Sequence, residues 1–71
     1  MASAKFKVSG MTCHHCQQKV EKALRGVAGV YSAIVDLQDG VAEVDFDDDT
    51  VTATTLVAAV VRVGYNARLA G

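Results

Sequence analysis

Both cysteines and both histidines of this chain fall within one heptapeptide, Gly10-Met11-Thr12-Cys13-His14-His15-Cys16. Two thiols separated by two residues suit either a soft metal ion or thiol–disulfide exchange. The strand before the heptapeptide and the helix after it bear on which. An alternating run over 5–9 precedes the heptapeptide, with Phe6 and Val8 on one side and Lys5 and Lys7 on the other. Gly10 ends it. A helix is expected from about Cys16, where Val20, Ala23, Leu24 and Val27 recur at three- and four-residue spacing. Cys13 then lies in the loop and Cys16 in the first helical turn, where unpaired N–H groups and the helix dipole favour thiolate over thiol.

The donor count separates the candidate chemistries. A structural zinc site normally takes four protein ligands, and only His14 and His15 could supplement the two thiols. Side chains of consecutive residues diverge, so these four do not readily converge on one tetrahedral centre. Two thiolates suit Cu(I), which is soft and accepts low coordination. The redox reading meets an obstacle: the thioredoxin arrangement belongs to a larger fold with a proline facing the thiols, and this chain has no proline. A third reading, two inert buried cysteines, fits poorly with a Gly-containing loop. Metal carriage leads, with thiol–disulfide exchange and inert burial as the alternatives.

The rest of the chain must position this loop. At 71 residues it is read as one domain, 1–71, with 51% hydrophobic residues to build a core. No run approaches the ~18 apolar residues of a membrane span. Lys5 and Lys7 interrupt any signal-like apolar segment, so a cytoplasmic location and reduced cysteines are expected. Basic residues gather early (Lys5, Lys7, Lys19, Lys22, Arg25) and acids later (Asp36, Asp39, Glu43, Asp45, Asp47, Asp48, Asp49) within a net charge of -1. Such a dipolar chain can orient a partner, but it lacks the basic surplus and stacking aromatics of a nucleic-acid binder.

After Gly26 and Gly29, a strand is expected over 30–37 with Ala33, Val35 and Leu37 on one side. Asp39-Gly40 predicts a two-residue type I′ hairpin turn, and the return strand covers 41–46, with Ala42, Val44 and Phe46 buried. Thr52 caps a second helix whose inward stripe is Leu56, Ala59, Val60 and Val63. Gly64 stops it, and 65–69 forms a last strand. Val57, Ala58 and Val61 leave this helix apolar nearly all round, as a greasy surface or a dimer contact. The order β-α-β-β-α-β predicts an α+β, ferredoxin-like sandwich: a four-stranded antiparallel sheet with both helices on one face. Lys5, Lys7, Asp36, Glu43, Asp45 and Arg68 are expected on the other face.

The heptapeptide resembles the G-M-T/S-C-x-x-C motif of heavy-metal-associated domains, as found in small bacterial copper chaperones of the CopZ type and in the N-terminal domains of copper-pumping P-type ATPases. The likeness covers nearly the whole chain: Val20 and Leu24 fit the first helix, Gly29-Val30, Val35, Leu37, Val44 and Phe46 the hairpin, and Gly64-Tyr65 the last turn. The family fold is the one assembled above. The resemblance implies a non-enzymatic protein whose Cys13 and Cys16 bind Cu(I) as thiolates and pass it, by ligand exchange, to the metal-binding domain of a copper-transporting P-type ATPase. It implies a membrane contact only through that partner, and a monomer with a copper-bridged homodimer left open. Being itself a pump's metal-binding domain, or a small thiol–disulfide oxidoreductase, are the alternatives. Zinc-type relatives carry Asp where Thr12 stands, so Thr12 points to a monovalent soft ion.

Other residues near the site carry two readings each. Met11 is a thioether ligand or a core plug. His15 is a third ligand or tunes the thiolates, or it is merely exposed; His14 reads as exposed. By resemblance Tyr65 shields the metal and bonds a cysteine, or else it packs at a strand start. Lys19, Lys22 and Arg25 form a docking face or a solvated one.

Overall fold

The computed structural model describes residues 2–70. In β1 (Ala2–Ser9), Ala2, Ala4, Phe6 and Val8 turn inward while Ser3, Lys5, Lys7 and Ser9 stay exposed. The strand starts before the alternation is obvious in sequence. Its first residues are small, yet Ala2 and Ala4 pair with Phe46 and Val44. The remaining elements are α1 (His14–Arg25), β2 (Val30–Asp36), β3 (Val41–Phe46), α2 (Ala53–Arg62) and β4 (Asn66–Leu69). The strands form one sheet in the order β2-β3-β1-β4, each neighbouring pair antiparallel. With both helices on one face, this is the expected ferredoxin-like sandwich.

The core lies between sheet and helices. Phe6, Val8, Ala33, Val35, Ala42, Val44 and Phe46 meet Val20 and Leu24 of α1 and Leu56 and Val60 of α2. Each fully buried large side chain contributes about 1.5–3 kcal/mol of transfer free energy. On the open face the register sets Lys5 beside Glu43 and Lys7 beside Arg68. Ser32 Oγ donates to Asp45 Oδ2 at 3.0 Å. Ile34 and Tyr31 are also exposed, at 64% and 60%. Tyr31 sits in a register break between β2 and β3, which turns its side chain away from the core.

Three expectations are corrected. The hairpin is not a two-residue I′ turn: residues 37–40 separate the strands, and no non-glycine among the described residues has a positive φ. The Asp36 carboxylate instead accepts from the N–H groups of Gln38 and Asp39, at 2.9 and 3.2 Å. That side-chain turn competes with the I′ geometry and ends β2 one residue early. Gly40, at φ 66, lets its carbonyl accept from Val8 N–H at 2.8 Å. In α2 the inward stripe is shifted from the one expected. Val63 lies past the helix end and is 37% exposed, whereas Val57 packs against the core. Helix α1 begins two residues earlier than expected, because Gln17 N–H reaches back to the Cys13 carbonyl and closes an extra turn. Thr52 caps α2 as expected, accepting from Thr55 N–H.

Gly29 joins α1 to β2 at φ 95, and a Cβ there would lie 2.6 Å from Val51 Cγ2. Gly64 has φ 98 but open space around it. Gly29→Ala is therefore expected to lose about 2–4 kcal/mol, combining backbone strain with overpacking. Gly64→Ala carries backbone strain alone, about 1–2 kcal/mol. Urea unfolding of the reduced variants checks this, and equal losses would contradict it.

Candidate metal centre

The loop carrying the thiols is held from both ends. Gly10 leaves β1 at φ 95, and a Cβ on it would sit 3.3 Å from Tyr65 Cδ1. The Tyr65 ring therefore lies over the start of the loop, on a residue small enough to admit it. Met11 is half-buried and packs against the core. Cys13 is the extended residue before α1, and its side chain makes no capping hydrogen bond. The first turn holds no acidic residue. The positive end of the helix dipole and its unpaired N–H groups are thus left for the sulfur atoms.

Cys13 is exposed and Cys16 half-buried, both as free thiols. Their Sγ atoms are 3.5 Å apart, in contact and well beyond the ~2.05 Å of a disulfide. Metal–thiolate bonds of about 2.3 Å would close on this span at an S–metal–S angle of about 100°. A linear two-coordinate ion needs the sulfurs about 1 Å further apart, a motion that exposed Cys13 can make by side-chain rotation. Among the described residues, no third His, Cys, Asp or Glu completes a cluster around the pair.

The Cys16 thiol is shifted down from the ordinary 9.0 to about 6. The leading cause is a hydrogen bond from the Thr12 backbone, followed by bonds from the Tyr65 and Cys13 side chains. Partial burial opposes these, and the Thr12 hydroxyl, 3.9 Å away, adds a little. The Tyr65 phenol moves up for the reciprocal reason: it bonds Cys16, is partly desolvated, and faces negative charge on both cysteines. At neutral pH Cys16 is largely thiolate and Tyr65 keeps its proton as a donor.

The other expected site residues separate into near and far. His14 Nδ1 lies 3.2 Å from Gln17 Oε1. His15 is exposed. Lys19 and Lys22 are exposed and line a surface groove with Ala23 and Val63, two residues before Tyr65. Arg25 stands apart, nine residues and about 13 Å along the helix from Cys16. It pairs with Glu21 at 2.9 Å, and its Nε donates to the Ala33 carbonyl on edge strand β2. Sequence reasoning missed three contributors. The Thr12 N–H binds Cys16, Gly10 makes room for Tyr65, and Arg62 joins Lys22 along the α1–α2 groove. Only Gly10 carries a sequence signal, and in sequence it reads as a strand stop.

The folded Cys16 binds fewer protons than the unfolded one between the two pKa values. Its contribution to stability is complete above about 9 and fades as pH falls through about 6. The reduced, metal-free protein should therefore gain stability from pH 6 to 9, and Cys16→Ser should flatten that rise. Alkylation of Cys16 by iodoacetamide should have its midpoint near pH 6 and shift upward in Tyr65→Phe. A midpoint near 9 in the unmodified protein would contradict this.

Comparison with known proteins agrees with this geometry. The heavy-metal-associated domain profile matches residues 5–66. A copper chaperone CopZ from Staphylococcus saprophyticus is 43% identical over 68 residues, which is 96% of this chain and 100% of that protein. Among solved structures, a copper binding domain from HMA7, a P-type ATPase, superposes with a TM-score of 0.98 at 34% identity, covering 100% of this chain and 96% of that one. The apo copper chaperone of Enterococcus hirae superposes with a TM-score of 0.89 at 36% identity, covering 94% and 98%. The strand order, the thiol pair at the head of α1 and these matches together lead to one conclusion: the chain belongs to the heavy-metal-associated domain family.

Proposed function

We propose that this protein is a copper(I) chaperone that holds Cu(I) between Cys13 and Cys16 and delivers it to the metal-binding domain of a copper-transporting P-type ATPase. One observation carries the reading. Two free thiols stand in contact at an uncapped helix start, with no third donor of the described residues closing the site. Such a donor set suits a soft, low-coordinate ion and leaves open positions around it.

Ligand exchange follows from that openness. Cys16 already carries negative charge at neutral pH and is ready to take the ion. An incoming partner thiolate adds to the two-coordinate ion before either bond to this protein breaks. The ion is never free, so tight binding and rapid transfer coexist. Tyr65 donates to Cys16 and stabilises it as the partner draws the metal away. Exposed Cys13 is the first sulfur the partner meets and the first to exchange. Lys19 and Lys22, beside the loop, steer an acidic partner face toward it. His15 is exposed beside the thiols and is available as a further donor in a copper-bridged pair of copies. In this reading residues 1–71 act as one cytoplasmic domain that catalyses no turnover. No helix among the described residues is long and apolar enough to cross a membrane, so membrane contact comes through the partner. The second reading, a metal-binding domain of such a pump, draws on the likeness to the HMA7 domain.

Titration of the reduced protein with Cu(I) against a competing chelator should show one tightly bound equivalent. Cys13→Ser or Cys16→Ser should weaken it more than about 100-fold, since even outer-shell changes cost 10–100-fold at metal sites. Unchanged binding in the double Cys→Ser variant would end the carrier reading, and efficient reduction of disulfide substrates would favour an oxidoreductase. Lys19→Glu with Lys22→Glu should slow transfer to an acidic pump domain by about tenfold or more at low salt, an effect that fades at high salt. Equal transfer rates at low salt would place the dock elsewhere.

A further inference from the structure

His14 lies between the two cysteines in sequence, yet the structure holds its ring elsewhere, and Gln17 is what holds it. Gln17 is half-buried, and its Nε2 donates to the backbone carbonyl of Val35 on edge strand β2. A carbonyl only accepts, so the amide NH2 must face Val35 and the amide oxygen must face away. That oxygen lies 3.2 Å from His14 Nδ1. An amide oxygen also only accepts, so Nδ1 carries the hydrogen and the neutral ring keeps its lone pair on Nε2. His14 and Gln17 line a shallow depression with Val35, Asp36 and Leu37, on the β2 side of α1. Around the helix axis His14 stands about 160° from Cys16.

We propose that Gln17 is a positioning residue that sets metal specificity: braced on the Val35 carbonyl, its amide keeps the His14 imidazole on the β2 side of α1 and out of the thiolate pair. This rests on the reading of Cys13 and Cys16 as the metal-binding thiolates. Two thiolates favour Cu(I), whereas an added imidazole nitrogen makes a donor set that Zn(II) accepts readily. His14 is the first residue of α1, where helices fray most easily. Without the Gln17 amide, one residue of unwinding lets the ring swing toward the sulfurs. The same two hydrogen bonds hold the first turn against that unwinding and cover an outward carbonyl of the sheet edge.

The test compares wild type, Gln17→Ala and Gln17→Ala with His14→Ala at one fixed pH. Gln17→Met, of similar length without an amide, serves if Gln17→Ala does not fold. Long-range proton–nitrogen NMR of the metal-free wild type should show His14 as the Nδ1–H tautomer, and the Gln17 variants should lose that preference. Zinc affinity should rise about tenfold in Gln17→Ala and return to the wild-type value when His14 is also removed. An Nε2–H tautomer in the wild type would overturn the proposal. So would zinc affinity unchanged within twofold, or a gain that survives loss of His14. Wild-type protein that took up no Cu(I) would defeat the chaperone reading instead, and the tautomer measurement would still test the hold of Gln17 on His14.

Discussion

The first turn of α1 is left uncapped by the side chain of Cys13, and the helix dipole there favours an anion beside it. An Asp, Ser or Thr at the position of Cys13 would cap that turn within the chain and stabilise the helix by about 1 kcal/mol. Here that position holds a cysteine whose side chain makes no such bond. Cys16, bonded first by the Thr12 N–H and then by the Tyr65 and Cys13 side chains, supplies that anion as a thiolate poised near pH 6. A modest loss of helix stability thereby becomes readiness for a soft cation.

Everything packed around the turn limits how far that demand can be met by the wrong group. Met11 pins the loop to the core from below, and Tyr65 covers its start and contributes a donor. Gln17 and Arg25 reach from α1 to the carbonyls of Val35 and Ala33, which ties the helix to β2 and covers part of an exposed sheet edge. The second helix fixes the other wall through Leu56 and Val60, while Gly64 turns the chain so that Tyr65 arrives beside the thiols. The charged partners Lys19 and Lys22 remain free to face outward because Arg25, not they, carries the ion pair to Glu21.

Much of this was legible in the residue pattern. The alternation of Phe6 with Val8 and of Ala42, Val44 and Phe46, with the three- and four-residue spacing of Val20 and Leu24, sufficed for the element order. Two thiols at a helix start located the candidate site, with metal carriage and thiol–disulfide exchange both open to it. Local chemistry in competition hid the rest. Asp39-Gly40 signals a type I′ turn, but the Asp36 carboxylate captures the same N–H groups and imposes a longer loop. Val63 reads as a continuation of the α2 stripe, but the helix has already ended at Arg62. The roles of Thr12, Gly10 and Gln17 depend on contacts across the fold that no spacing rule encodes, and Gln17 looks in sequence like any polar residue on the outer face of a helix.

Copper K-edge X-ray absorption on the Cu(I)-loaded monomer tests most directly whether this fold presents two thiolates, and nothing else, to a soft ion. A two-coordinate ion with sulfur neighbours only is expected. A nitrogen neighbour from His14 or His15 in the monomer, or a four-coordinate ion, would contradict it.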